Sequence, residues 1–257
     1  MNSLHWLKNG EGKLMIRFER NTYDGFLVYS INPSTVSSNM QQIQLFSNKV
    51  IEYVAEKEDV SVDDILANRI YNLHDDYYCL SVTLCKKLKI KTLSFLMLMK
   101  KVSFLDVEEI TKLNKDADKI FHEDGFYGLK DVGLIENLLY NVEYSEAFGV
   151  DRYPTLIDKA AHLWFIIARY QAFHNGNKRT GMLATLTFLR ANFYDIETEN
   201  NLENDLYNVS MDIALNKMNE KDVVNFLTSH TKINMDIMNS FYKTLLKGEH
   251  DEKNQNR

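Results

Sequence analysis

From Tyr170 to Gly181 the chain reads Tyr-Gln-Ala-Phe-His-Asn-Gly-Asn-Lys-Arg-Thr-Gly, placing amides, two cations, a histidine and a glycine in one short polar turn. Such a set suits an anion. Upstream, Thr155 with Asp158 three residues on reads as a helix start, and Leu156, Ala160, Leu163, Ile167 and Tyr170 follow at helical spacing. Downstream, Met182, Thr185, Leu186 and Leu189 repeat the pattern, so Lys178 and Arg179 fall in the first turn of a second helix. The N–H groups and positive dipole end there favour negative charge, and Gly176 lets the backbone approach a phosphate closely. Cations at a helix N-terminus oppose the macrodipole, a cost that a bound polyphosphate offsets. The expectation is a phosphate cradle between two helices, with Gly176, Asn177, Lys178, Arg179 and Thr180 binding ATP or another nucleoside triphosphate.

The elements that must carry this turn belong to an ordinary soluble chain. Of 257 residues, 45% are hydrophobic and 26% charged, enough apolar content for one large or two small cores and too much for intrinsic disorder. Thirty basic against 36 acidic side chains leave a formal charge of −6, so the whole molecule has no electrostatic footprint for nucleic acid. Cys79 and Cys85 lack metal-like spacing, no secretory leader precedes them, and both read as small buried hydrophobes of a reducing, cytoplasmic compartment. The longest apolar run, Leu93 to Met99, is far shorter than the ~20 residues of a membrane span.

Ahead of the turn, Lys13 to Glu19 and Phe26 to Ile31 read as two strands of one β-hairpin. Pro33 and its serines break the chain, after which Ile43, Phe46, Val50, Ile51 and Val54 recur at helical spacing. Val62, Ile65, Leu66, Arg69 and Ile70 read as a further amphipathic helix, capped by Ser61. Residues 84–101 have a helix-turn-helix cadence, yet Leu93, Phe95, Leu96, Met97, Leu98 and Met99 offer no polar groups to base edges. That second segment therefore reads as a core helix, and DNA binding is not expected. Residues 248–257 are polar enough for a disordered tail.

Phe173, Gly176, Asn177, Lys178, Arg179 and Thr180 resemble the signature of the Fic/Doc (Fido) superfamily, His-x-Phe-x-Asp/Glu-Gly-Asn-Gly/Lys-Arg. A lysine at 178, in place of the glycine of AMP-transferring Fic proteins, is similar to the death-on-curing (Doc) branch. So are Gly125 to Asp131, Gly133 to Glu136 and Tyr153 to Leu156, and the resemblance spans residues 104–230. It implies a mainly α fold: a Fido-type helical bundle over residues 104–247, with a small α/β N-terminal extension over 1–103 that contains the β-hairpin. It also implies a toxin that moves the γ-phosphate of ATP, with Mg²⁺, to a threonine of a translation factor, elongation factor Tu, and that is held by a separate antitoxin. Phe173 would anchor the loop. The family's built-in inhibitory motif, Ser/Thr-x-x-x-Glu-Gly/Asn, has no match; Glu11-Gly12, for instance, is preceded by Leu7.

Two positions depart from the signature. The catalytic histidine of the family falls on Gln171, and its metal-holding acid on Asn175. Histidine takes a proton from an attacking hydroxyl because its pKa lies near neutrality, whereas an amide has no accessible protonation change. Asn175 still offers Mg²⁺ a neutral carbonyl oxygen, and phosphates can supply the rest of the shell. Three readings of Gln171 stand: an inactivated form of a toxin, a natural pseudo-enzyme that binds nucleotide and a partner without catalysis, or a base supplied by His174 instead. Transfer of AMP rather than phosphate is the alternative chemistry. Elsewhere, adjacent His122, Glu123 and Asp124 read as a surface turn rather than a metal site, His162 as a satisfied structural histidine, and Asp195, Glu197, Glu199, Glu203 and Asp205 as a solvated acidic loop.

Overall fold

The computed structural model describes residues 4–8, 10, 14–32, 39–121, 128–197 and 201–255. Its elements in chain order are β1 (Leu4–Lys8), β2 (Leu14–Phe18), β3 (Asn21–Tyr23), β4 (Gly25–Ile31), α1 (Asn39–Glu58), β5 (Ile65–His74), β6 (Tyr77–Lys86) and β7 (Lys89–Lys101). There follow α2 (Val107–Phe121), α3 (Val132–Glu143), β8 (Glu146–Ala147), β9 (Val150–Asp151), α4 (Leu156–Tyr170), α5 (Asn177–Ala191), β10 (Tyr194–Ile196), α6 (Leu202–Ala214), α7 (Glu220–His230), β11 (Thr231–Ile233) and α8 (Met235–Gln255). The fold is mainly helical with an α/β N-terminal region, in two compact units: residues 1–31, 46–101 and 233–257 in one, 32–45 and 102–232 in the other.

In the first unit β1, β2 and β3 form an antiparallel sheet, and a second sheet has the order β4-β7-β6-β5, with β4 parallel to β7. The two expected strands exist, but they do not pair as one hairpin. β3 intervenes and pairs with β2, while β4 leaves for the other sheet. Two expected helices are strands. Ser61 does cap a helical turn, with Asp64 completing a reciprocal capping box, yet the turn is a 3-10 piece of Val62–Asp64 that opens into β5. Residues 93–99 lie in β7: Leu93, Phe95 and Met97 are buried on one face and Leu96 on the other. A strand covered on both faces and a buried helix share one apolar pattern, which periodicity cannot separate. With β6 and β7 paired antiparallel through Lys86 and Lys89, the helix-turn-helix reading lapses. Tyr29 packs edge-on against Phe46 of α1, and Phe18 stacks on Tyr77. α8 extends to Gln255, through residues expected as a polar tail, and its Tyr242 packs against Trp6 and Phe26.

In the second unit α4 is the central helix. Its start is the expected capping box, Thr155 and Asp158 satisfying each other's backbone N–H. Ten of its side chains are buried, including Trp164, whose indole N–H donates to Ser210 Oγ of α6 (3.0 Å). His162 is the satisfied structural histidine expected: its Nδ1 lies 3.0 Å from Glu220 Oε1 and its ring stacks on Tyr153. Lys159, 2% exposed, donates to Ser145 Oγ (2.6 Å) and the Val142 carbonyl (3.1 Å), with Asp151 Oδ2 at 3.8 Å, and so ties α3, β9 and α4 together. Burial pushes the Lys159 ammonium below its ordinary 10.5, and the Asp151 carboxylate opposes that shift. Between the lowered folded value and 10.5 the unfolded chain holds more protons, so this group's contribution to stability rises with pH through that window.

Gly181 sets how closely α5 approaches α4. A Cβ there would lie 3.0 Å from the Trp164 carbonyl oxygen and 3.2 Å from the Ala168 nitrogen, both backbone atoms that cannot swing aside. Alanine ordinarily favours a helix over glycine by about 1 kcal/mol. Here we expect the opposite sign: Gly181→Ala should lower stability by about 1–3 kcal/mol, the usual cost of overpacking. Denaturant midpoints at unchanged m-value measure it, and an unchanged or higher midpoint would contradict the close approach.

Candidate functional site

The turn between α4 and α5 is built on two left-handed residues. Gln171 ends α4 at φ 49°, ψ 49°, and Gly176 opens α5 at φ 75°, ψ 10°. Glycine takes that conformation without cost, whereas a glutamine there is mildly strained and must be held by its surroundings. They are visible. Ala172 and Phe173 are buried, the Lys130 and Asp131 N–H groups donate to the Ala172 carbonyl, and the His174 N–H donates to the Gly128 carbonyl at 3.0 Å. Leu129 and Phe173 thus form a short antiparallel bridge, and Phe173, 1% exposed, anchors the loop.

Asn177 clamps the turn from the other end. Its Oδ1 accepts from the Phe173 N–H and its Nδ2 donates to the Phe173 carbonyl, both at 2.9 Å, so its side chain closes the loop and only its backbone is left for a ligand. The Thr180 side chain, expected among the binding groups, is fully buried. Its hydroxyl donates to the Gly176 carbonyl and accepts from Asn114, because the fourth residue of α5 faces inward rather than toward the turn's mouth. Asn175 Oδ1 accepts from the Gly176 N–H at 2.7 Å, which already occupies the oxygen expected to meet Mg²⁺.

Asn114 of α2 was not singled out in the sequence, and it holds the whole arrangement. Fully buried, it donates to the Asn175 carbonyl and to Thr180 Oγ1, both at 2.9 Å, and its Oδ1 accepts from the Gly128 N–H at 3.1 Å. The available signal was its place between Ile110 and Ala117 at helical spacing, a polar side chain on the apolar face of an amphipathic helix. Asn114→Ala should cost about 1–3 kcal/mol, since a buried N–H and two acceptors lose their partner, and thermal melting measures it. An unchanged melting temperature would show that the turn holds itself.

Gln171, His174, Asn175, Gly176, Asn177, Lys178 and Arg179 line one side of a cavity of about 720 Å³. No side chain caps α5, so its first turn meets the cavity as a helix N-terminus with two cations beside it. The opposite wall comes from α6: Glu203, Asn204, Tyr207, Ser210, Met211 and Ala214. The acidic segment expected as a solvated loop is therefore divided. Asp195 pairs with Arg190 (3.3 Å) and Glu197 with Lys232 (2.8 Å), whereas Glu203 and Asp205 lie in the first turn of α6, after its Asn201 cap, and Glu203 reaches the cavity wall. Spacing along the chain carried no sign of this, because α6 meets α5 only through their packing. Glu199 and the triplet His122 to Asp124 lie outside the described residues. Among the described residues no group of three or more His, Cys, Asp or Glu side chains could hold a metal ion, and no helix is long and apolar enough to cross a membrane.

An uncapped helix N-terminus beside two cations is chemistry that suits an anion, and α6 faces it across the cavity. It holds no imidazole at position 171; His174 is three residues on, exposed at the rim. Comparison with known proteins agrees with the motif: residues 104–189 match the model of the Fic/DOC family. A stretch of 64 residues is 42% identical to the protein named Toxin Doc of Mycolicibacterium smegmatis, covering 25% of this chain and 48% of that relative. The chain thus spans about half the length of the curated relative it matches.

Proposed function

Proceeding from the Fic/DOC region at residues 104–189, we propose that the chain is a Doc-like toxin whose cavity binds ATP and whose ancestral reaction moves a phosphate to a threonine of a translation factor, elongation factor Tu. The observation that carries this reading is the uncapped α5 N-terminus, flanked by Lys178 and Arg179 and open to the cavity. In phosphoryl transfer the threonine oxygen bonds to the γ-phosphorus, the bond to the β-phosphate oxygen breaks, and ADP leaves. Catalysis is then mostly positioning and charge stabilisation, which the α5 N–H groups, Lys178 and Arg179 would supply. Mg²⁺ would arrive with the phosphates and neutralise them, and Asn175 would turn its amide oxygen from the Gly176 N–H to meet it. A separate antitoxin is the partner that the resemblance to Doc implies.

Position 171 would take the hydroxyl proton, and glutamine cannot. This chain is therefore impaired in transfer, and the second reading rests on the same residue: a pseudo-enzyme that binds nucleotide and a partner without chemistry.

Label transfer decides the chemistry. Gln171→His is incubated with a bacterial lysate and ATP labelled at either the α or the γ phosphorus. Label from the γ position only is expected; label from the α position would mean AMP transfer and a Fic-type nucleotidyltransferase.

A further inference from the structure

β5 is the outer strand of the second sheet, and among the described residues it pairs with β6 alone. Leu66 and Tyr71 are 56% and 51% exposed, and the strand is largely solvent-facing along its length. Natural sheets protect such an edge with proline, with clustered charge, with short length or with β-bulges, and here irregularities of register occur only at the two ends of the strand. This one has ten residues, no proline and a single Lys or Arg, Arg69. Its register against β6 is regular from Ala67 to Asn72, with shifts confined to either end.

We propose that β5 is a self-association edge, on which a second copy of this chain pairs antiparallel to give one continuous eight-stranded sheet. A two-fold axis that keeps the faces of both sheets aligned must pass through a residue, because side chains alternate with a period of two. Centred on Ile70, it sets Asn68 opposite Asn72 of the second copy, Arg69 opposite its Tyr71, and Ile70 opposite itself. Amide meets amide, a guanidinium meets an aromatic ring, and an aliphatic side chain meets its equal, each pair occurring twice or on the axis. Centred on Arg69, the same edge would oppose two like charges, which disfavours that register. The sequence Asn-Arg-Ile-Tyr-Asn is thus self-complementary about one residue, a property an edge would not need if solvent were its only neighbour.

The test uses the full chain. Sedimentation across a concentration series should show a species of 30.0 kDa passing to one of twice that mass. Tyr71→Lys, at a half-exposed position, places like charges opposite each other at two points and should weaken the dimer about tenfold or more. Arg69→Glu/Tyr71→Lys on one chain restores opposite charges in the antiparallel register and should recover or exceed the parent affinity. Ile70→Cys, lying on the axis, should cross-link to itself under mild oxidation, since directly opposed strand residues come within disulfide reach. A chain that stays monomeric to about 1 mM, the weakest affinity of interest, would overturn the proposal and leave the edge to a strand of another protein. So would a dimer indifferent to Tyr71→Lys, a charge swap that fails to rescue a folded Tyr71→Lys protein, or a cross-link that joins Cys79 or Cys85 rather than position 70.

Discussion

Lys178→Ala/Arg179→Ala should bind ATP about 10²–10⁴-fold more weakly than the parent chain, since each charged group that meets a phosphate contributes about 1.5–3 kcal/mol. Both side chains line the cavity at the α5 N-terminus, Lys178 exposed and Arg179 half-buried, so truncating them leaves the packing of α4 against α5 in place. Electrostatics sharpens the expectation. The helix dipole already disfavours cations there, so removing Lys178 alone should leave the free protein as stable as before or slightly more so, while affinity for the nucleotide falls. Calorimetry supplies the affinity and thermal melting the stability. Equal affinity for the two proteins would sink the phosphate-cradle reading, whatever the reaction proves to be.

Gln171→His should raise transfer activity by about 10²–10⁴-fold, the usual contribution of a positioned general base, and should arrest bacterial growth on induction. The backbone at 171 is already left-handed and held in place by the bonds to Ala172 and His174 that follow it, so the new imidazole would start from a prepared position. What the loop lacks is a proton acceptor at position 171 and a charged metal ligand at position 175. Gln171→His/Asn175→Asp must therefore be measured beside the single variant, because a neutral amide oxygen, hydrogen-bonded to Gly176, holds Mg²⁺ less well than a carboxylate. Growth unaffected by either variant, with both proteins folded and equally abundant, would refute the toxin reading and favour nucleotide-dependent partner binding. Activity in the parent chain that disappears with His174→Ala would instead place the base at His174.

The motif was legible because its chemistry is local. A glycine, an uncapped helix start and two cations lie within a few residues, and helical periodicity on either side located α4 and α5, with the Thr155/Asp158 box marking where α4 begins. Local spacing also overreached. Thr180 reads as part of the same cluster, but its place in the first helical turns carries the hydroxyl inward, onto Gly176 and Asn114. In the N-terminal region, Lys89-Ile90-Lys91-Thr92 alternates at the start of β7, yet the apolar run after it conceals the period because β7 is buried on both faces. β5 departs from its expected helix for a related reason: Val62, Ile65, Leu66 and Ile70 match a helical stripe by chance of spacing, while pairing with β6 decides the conformation.

Legible in the chain alone were the parts whose physics lies within one turn: the glycine of the loop, the helix start with its cations, and the missing imidazole at position 171. What surrounds them was settled by packing. Asn114, far upstream, satisfies Asn175 and Thr180 of the motif and the Gly128 N–H beside it, and α6 brings Glu203 and Tyr207 to the far wall of the cavity. Spacing marks Asn114 only as a polar side chain on an apolar face and names the partner of neither contact, because helices meet through buried surface whose partner is chosen by the packing of the whole core.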